Sequence, residues 1–206
     1  AFDHRSFARS PAPDSSITIP SFRDDILSIM DELQIDKAHL VGQSMGGYSV
    51  LRCALDQPER VNTLTLSCTP AGIPIPNPTE SVKNLGARGA EGIQATMSKK
   101  TFENPALVQL YASIQSFNTE FSFERLSALR REEDQVNIDL LGSMEIPTLF
   151  ISGREDPLFL PEQLSQLVPH FHSASIKIVD DAGHSPYFEQ PTVFNKLLSD
   201  HINQNL

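Results

Sequence analysis

The chain is short of cysteine, of basic residues and of long apolar runs, and each shortage removes a class of protein. Its two cysteines, Cys53 and Cys68, lie in apolar stretches and read as buried thiols, not as redox centres or metal ligands. Sixteen lysines and arginines stand against twenty-six acidic residues, a formal net charge of -10 with no basic cluster, so a nucleic-acid or polyphosphate partner is disfavoured. No stretch stays apolar over the roughly 20 residues that cross a bilayer, and none reads as a signal peptide. No membrane attachment and a reducing, cytoplasmic setting are therefore expected. What is present is a chain of 206 residues, 39% of them apolar, enough for one well-buried core.

The apolar residues fall into an alternation of helical and strand-like segments. Phe22, Ile26, Ile29, Met30 and Leu33 follow Pro20-Ser21 at helical spacing and predict a capped helix ending near Gln34. Strands are expected over Ala38 to Val41, Val61 to Cys68, Pro147 to Ser152 and Ser175 to Val179. The near-continuous apolar character of the last three suggests parallel strands buried on both faces and joined by helices, the α/β class. One of those helices runs to about Leu55 with Pro58 at its exit. The last starts at Pro191 and carries Phe194, Leu197, Leu198 and Ile202.

Residues 71–143 are too long for an ordinary connection between such strands and need structure of their own. Four prolines, Pro70, Pro74, Pro76 and Pro78, mark a loop-like start, and Val108, Leu110, Tyr111, Ile114 and Phe117 mark a helix. With Phe102, Phe117, Phe121 and Phe123 scattered through it, the segment is expected to roof a pocket as a helical lid over a core formed by residues 1–70 and 144–206.

Gly42-Gln43-Ser44-Met45-Gly46-Gly47 follows the first strand directly and places one serine between two glycines where strand passes to helix. G-x-S-x-G alone arises by chance in roughly one chain in fifteen of this length. Here the strand before it and the amphipathic Val50, Leu51, Ala54 and Leu55 after it give the strand, turn and helix of a nucleophile elbow. Such a turn strains the serine, crowds Gly42 and Gly46 together, and leaves the Met45 N–H facing the same pocket as an oxyanion donor.

A serine hydroxyl is a poor nucleophile at neutral pH and needs a base, which needs a carboxylate to hold its tautomer. Of His4, His39, His170, His172, His184 and His201, only His184 sits on a glycine-bearing loop just after a predicted strand. His39 lies inside a strand and reads as structural; His170, His172 and His201 read as surface residues. For the carboxylate, Asp156 in Gly153-Arg154-Glu155-Asp156-Pro157 is best placed to point back at the strand ends. Glu155 is the near competitor, and Asp180 and Asp181 are open alternatives that capping or solvation explains as well. The order Ser44, Asp156, His184 is the order of the α/β-hydrolase arrangement.

At these residues the chain resembles the α/β-hydrolase superfamily, in particular its small lid-bearing esterases, lactonases, carbon–carbon hydrolases and cofactor-free haloperoxidases. The likeness is carried by Asp3-His4-Arg5 with Ser10, His39 to Gly47, Pro58-Glu59-Arg60-Val61, Pro147-Thr148-Leu149 with Gly153 and Asp156-Pro157, and Gly183-His184 with Glu189-Gln190-Pro191. It implies Ser44 as nucleophile, His184 as base, Asp156 as its orienter, no cofactor or metal, and a small ester or lactone as substrate. Ser44 argues against haloalkane dehalogenase activity, because those relatives carry aspartate at the elbow. A ligand-binding receptor module on the same pocket is the alternative function, and a perhydrolase or haloperoxidase side activity would use the same triad.

Two departures from the resemblance carry expectations. Relatives usually have glycine where this chain has Ser6 and Ala8, which would stiffen or shift that loop. The chain also starts at what resembles the end of the fourth strand of the family. Its elbow strand should then form an exposed apolar sheet edge, so either a longer protein or a partner chain is expected to cover it.

Overall fold

The computed structural model describes residues 1–13, 17–80, 96–118 and 135–206. Four parallel strands form one sheet in the order β1-β2-β3-β4: β1 Ala38–Gln43, β2 Val61–Ser67, β3 Thr148–Gly153 and β4 Ala174–Val179. The helices are α1 Ile19–Glu32, α2 Met45–Asp56, α3 Lys99–Phe102, α4 Pro105–Gln115, α5 Pro161–Ser165, α6 Pro186–Glu189 and α7 Pro191–Asn203. Among the described residues no helix is long and apolar enough to cross a membrane.

Sequence-local chemistry sets the element ends. α1 opens on a reciprocal cap in which the Ser21 N–H donates to Thr18 Oγ1 and the Thr18 N–H to Ser21 Oγ, both at 3.1 Å. Proline occupies the first turn of α4, α5, α6 and α7, where its missing N–H costs nothing.

Alternation along the strands sorts the core into two layers. Leu64, Leu66 and Phe150 face a cluster shared with Ile26 and Met30 of α1, Val50, Leu51 and Ala54 of α2, and Leu164 of α5. Leu149 and Ile151 point to the opposite face, where Phe194 of α7 covers them together with Val179. Burying each such side chain contributes about 1.5–3 kcal/mol. The two central strands are accordingly buried almost throughout.

One edge strand, β4, departs from the expectation of burial on both faces. Among the described residues β4 pairs with β3 alone, and Ser175, Lys177 and Ile178 are exposed. β1 is the other edge, as expected of the elbow strand, and Val41 is 41% exposed.

Three further corrections concern side chains. His201, expected at the surface, is half-buried; its Nε2 is enclosed without a partner, and burial lowers its pKa. Phe102 and Phe117, expected in a pocket roof, are 59% and 74% exposed; Phe121 and Phe123 lie outside the described residues. A Cβ built on Gly46 meets nothing within 4 Å, so the crowding at the elbow falls on Gly42, whose Cβ would sit 2.5 Å from the Gly46 carbonyl oxygen and from Val50.

Candidate active site

The elbow is built where β1 passes into α2. Ser44 has φ 49° and ψ -115°, a left-handed backbone that costs a non-glycine residue about 1–3 kcal/mol. Ladder and helix bonds hold it there: its N–H donates to Ser67 O (2.9 Å) and its carbonyl accepts from the Gly47 N–H (3.0 Å). Serine at a helix N-cap ordinarily turns its hydroxyl onto the first helical turn. Ser44 makes no such bond, and its Oγ lies instead 2.9 Å from His184 Nε2.

His184 lies on the loop after β4. Its Nδ1 is 2.9 Å from Asp156 Oδ2, and a carboxylate can only accept, so Nδ1 carries the proton and Nε2 is left to accept from the serine. Asp156, 1% exposed on the loop after β3, is fixed through its other oxygen by the N–H groups of Leu158 (2.9 Å) and Phe159 (3.3 Å). The structure thus brings Ser44, His184 and Asp156 into one hydrogen-bonded chain.

The competing carboxylates go elsewhere. Glu155 Oε2 accepts from the Lys99 N–H (2.8 Å), Asp180 pairs with Arg154, and Asp181 pairs with Lys100 (2.7 Å). His39 Nδ1 is 2.9 Å from Thr63 Oγ1 across the β1–β2 pair, while His170 and His172 are exposed.

The acid loop and the histidine loop touch through glycine. A Cβ at Gly153 would lie 1.9 Å from the Gly183 carbonyl oxygen, and one at Gly183 would lie 2.2 Å from that of Thr96. Behind them sits Cys68, fully buried with φ 47°, its Sγ 3.8 Å from the Gly183 oxygen. Burial pushes its thiol well above the ordinary range, so it stays protonated.

Cys68, Asp156 and His184 are also the group of potential metal ligands found among the described residues, with donor atoms within 4.8 Å of one another. The thiol is neutral and the Asp156 and His184 atoms already bond each other, a poor donor set for a cation.

Met45 is the first residue of α2, where a backbone N–H has no intrahelical acceptor. Its side chain packs with Phe7 and Tyr48 against Ile17, Ile19 and Phe22. The neighbouring loop carries the two departures noted in the sequence: Ser6 (φ 65°) and Ala8 (φ 42°) both adopt left-handed backbone, the conformation glycine takes without cost.

Two contributors were not read from the sequence as site residues. Gln43 Nε2 donates to the His184 carbonyl (2.5 Å) and Gln43 Oε1 accepts from Ser67 Oγ (2.5 Å), tying the elbow to the histidine loop. Tyr111 on α4 places its hydroxyl 3.2 Å from Ser185 Oγ and its ring edge-on to Phe188, with burial raising its pKa. Proximity of Gln43 to the serine was the one available signal.

A parallel sheet with helices on both faces and a Ser–His–Asp chain at the strand ends describes a class of hydrolytic folds. A sequence profile of the alpha/beta hydrolase family matches residues 1–197, and the chain belongs to that family. It is 30% identical over 188 residues to a 2-hydroxy-6-oxononadienedioate/2-hydroxy-6-oxononatrienedioate hydrolase of Paraburkholderia xenovorans, an alignment covering 84% of this chain and 65% of the relative. The chain thus spans just under two thirds of that relative's length. Among solved structures, a thermophilic esterase from Thermogutta terrifontis superposes with a TM-score of 0.81 at 24% identity, covering 98% of this chain and 78% of the esterase. The enol-lactonase from Burkholderia xenovorans gives 0.79 at 23%, covering 98% and 79%. These similar proteins are hydrolases, and the two solved structures establish the fold.

Proposed function

We propose that this protein is a serine-dependent hydrolase of small carboxylic esters or lactones that works through an acyl-enzyme. The observation that carries this reading is the pair of 2.9 Å contacts linking Ser44 Oγ, His184 and Asp156 Oδ2. Ser44 Oγ attacks the carbonyl carbon while His184 Nε2 takes its proton, and the buried Asp156 carboxylate stabilises the imidazolium that results. The Met45 N–H, at the positive end of α2, supplies a donor to the oxyanion, a contact typically worth about 10²–10³ in turnover. The imidazolium returns its proton to the leaving oxygen. His184 then deprotonates a water that attacks the acyl carbon and frees Ser44.

Residues 71–143 act in this reading as the lid. Supporting it, described residues at its base and on α4 reach the histidine loop directly: the His184 N–H donates to Thr96 O (2.8 Å), and Tyr111 meets Ser185.

A second reading, hydrolysis of a carbon–carbon bond beside a ketone, is favoured by the names of two curated relatives, 2-hydroxy-6-oxononadienedioate/2-hydroxy-6-oxononatrienedioate hydrolases. The test is turnover of p-nitrophenyl acetate and butyrate, a simple lactone and a 2-hydroxy-6-oxo dienoate, beside labelling by a fluorophosphonate probe. The ester reading expects labelling that disappears in Ser44→Ala together with ester or lactone turnover. Turnover of the dienoate alone transfers the assignment to the second reading. Ligand binding without labelling would assign a receptor.

A further inference from the structure

We infer that Glu189 is a positioning residue that holds His184 in register with Ser44 and Asp156; its kinetic consequence rests on the hydrolytic reading above, its geometry does not. Glu189 ends the single turn of α6, five residues after the histidine, and is 7% exposed. Its carboxylate has no ion-pair partner among the described residues and is surrounded by backbone donors instead. Oε1 accepts from the Gly183 N–H (2.9 Å) and the Ser185 N–H (3.2 Å), and Oε2 accepts from the Ser98 N–H (2.7 Å).

Those contacts fall on both flanks of the histidine. The His184 N–H itself donates to Thr96 O at 2.8 Å, and its carbonyl accepts from Gln43 at 2.5 Å. Three consecutive N–H groups, 183 to 185, are therefore pinned, two of them by one carboxylate oxygen. A bond back to the residue that precedes α6 would account for the Ser185 contact alone. The bonds to Gly183 and Ser98 have no capping use; they clamp the histidine loop against residues 96–98, the base of the insertion.

An anion suits this position because charged acceptors make the stronger hydrogen bonds and one oxygen can serve two donors. A neutral amide cannot replace it. With Gln at 189, one terminal atom becomes an NH₂ donor that must face either Ser98 N–H or the pair at Gly183 and Ser185.

The experiment measures two things on the intact protein. Proton NMR follows the Nδ1–H of His184, the hydrogen that donates to Asp156, assigned by its loss in His184→Ala. Fluorophosphonate labelling and p-nitrophenyl butyrate kinetics follow Ser44. Glu189→Gln is expected to retain the wild-type circular dichroism, to shift or broaden the imidazole resonance, and to lower kcat and the labelling rate about tenfold with KM within about twofold. Glu189→Ala is expected to lose about a hundredfold.

A Glu189→Gln protein with the wild-type resonance and rates overturns the proposal, as does a wild-type spectrum without that resonance. Should Glu189→Gln not fold, Glu189→Asp, one methylene short of the clamp, takes its place in the same measurements; if neither folds, Glu189 is structural only and the proposal fails. Wild-type protein that shows the resonance but no labelling removes the hydrolytic reading, and the resonance in the variants still decides the role of Glu189.

Discussion

Replacing Gly153 by alanine tests whether two loops far apart in sequence depend on one backbone contact. The new Cβ would sit 1.9 Å from the Gly183 oxygen, 2.6 Å from that of Ala182 and 2.8 Å from its carbonyl carbon, all main-chain atoms that cannot rotate away. Real Cβ atoms essentially never come within 3.0 Å of another heavy atom, so the loops must part by about 1.1 Å. Asp156 lies three residues beyond the substitution and His184 one residue beyond its contact. An opening of that size stretches their 2.9 Å bond to nearly 4 Å, outside hydrogen-bonding range. Misplacement by about 1 Å typically costs about 10²-fold in rate, and overpacking of this kind costs about 1–3 kcal/mol of stability. Thermal unfolding and the fluorophosphonate labelling rate measure the two effects. Labelling within twofold of wild type, in a folded Gly153→Ala protein, would refute the argument that this contact sets the acid–histidine distance.

Asp156→Asn keeps the shape of the side chain but presents an amide to His184 Nδ1, favouring the wrong tautomer; turnover should fall about 10³–10⁴-fold with circular dichroism unchanged. Gly46→Ala, by contrast, fills open space on a helix and should raise stability by up to about 1 kcal/mol in urea unfolding. His4 stacks on Phe22 with ring centroids 4.6 Å apart, and burial lowers its pKa, so the unfolded chain binds the proton more readily. Stability is therefore retained above the unfolded pKa of about 6.5 and lost as pH falls below it toward the folded pKa. Asp25 opposes that shift, and His201, whose own pKa burial also lowers, contributes to the pH dependence in the same direction. His4→Phe should lose less stability than wild type between about pH 7.5 and about pH 5.5, read as the urea midpoint.

The legible parts of the fold were those with a local cause. Val61 to Cys68 and Pro147 to Ser152 read as buried strands because the centre of a parallel sheet must be apolar on both faces, and β2 and β3 are the two central strands. The same reading misjudged Ser175 to Val179, since the position of a strand in the sheet order is not written in the strand. Ser44 was visible through its glycine neighbours, although of Gly42 and Gly46 only Gly42 is crowded. Glu189 appeared only as part of a motif, because its partners are backbone N–H groups, one of them 91 residues away, and an N–H belongs to almost any residue type. Phe102, on a one-turn helix, and Phe117, in the turn after α4, misled because aromatic composition does not reveal which side of an element faces inward.

The stretch from Thr96 to Thr101 bonds to both triad-bearing loops: Thr96 O and Ser98 N–H on the histidine side, Lys99 N–H to Glu155 on the acid side. Although it lies within the long insertion, it behaves as part of the scaffold. Chimeras that replace the insertion by a relative's corresponding segment should therefore place the upstream splice after Thr101, leaving the native hexapeptide with the host.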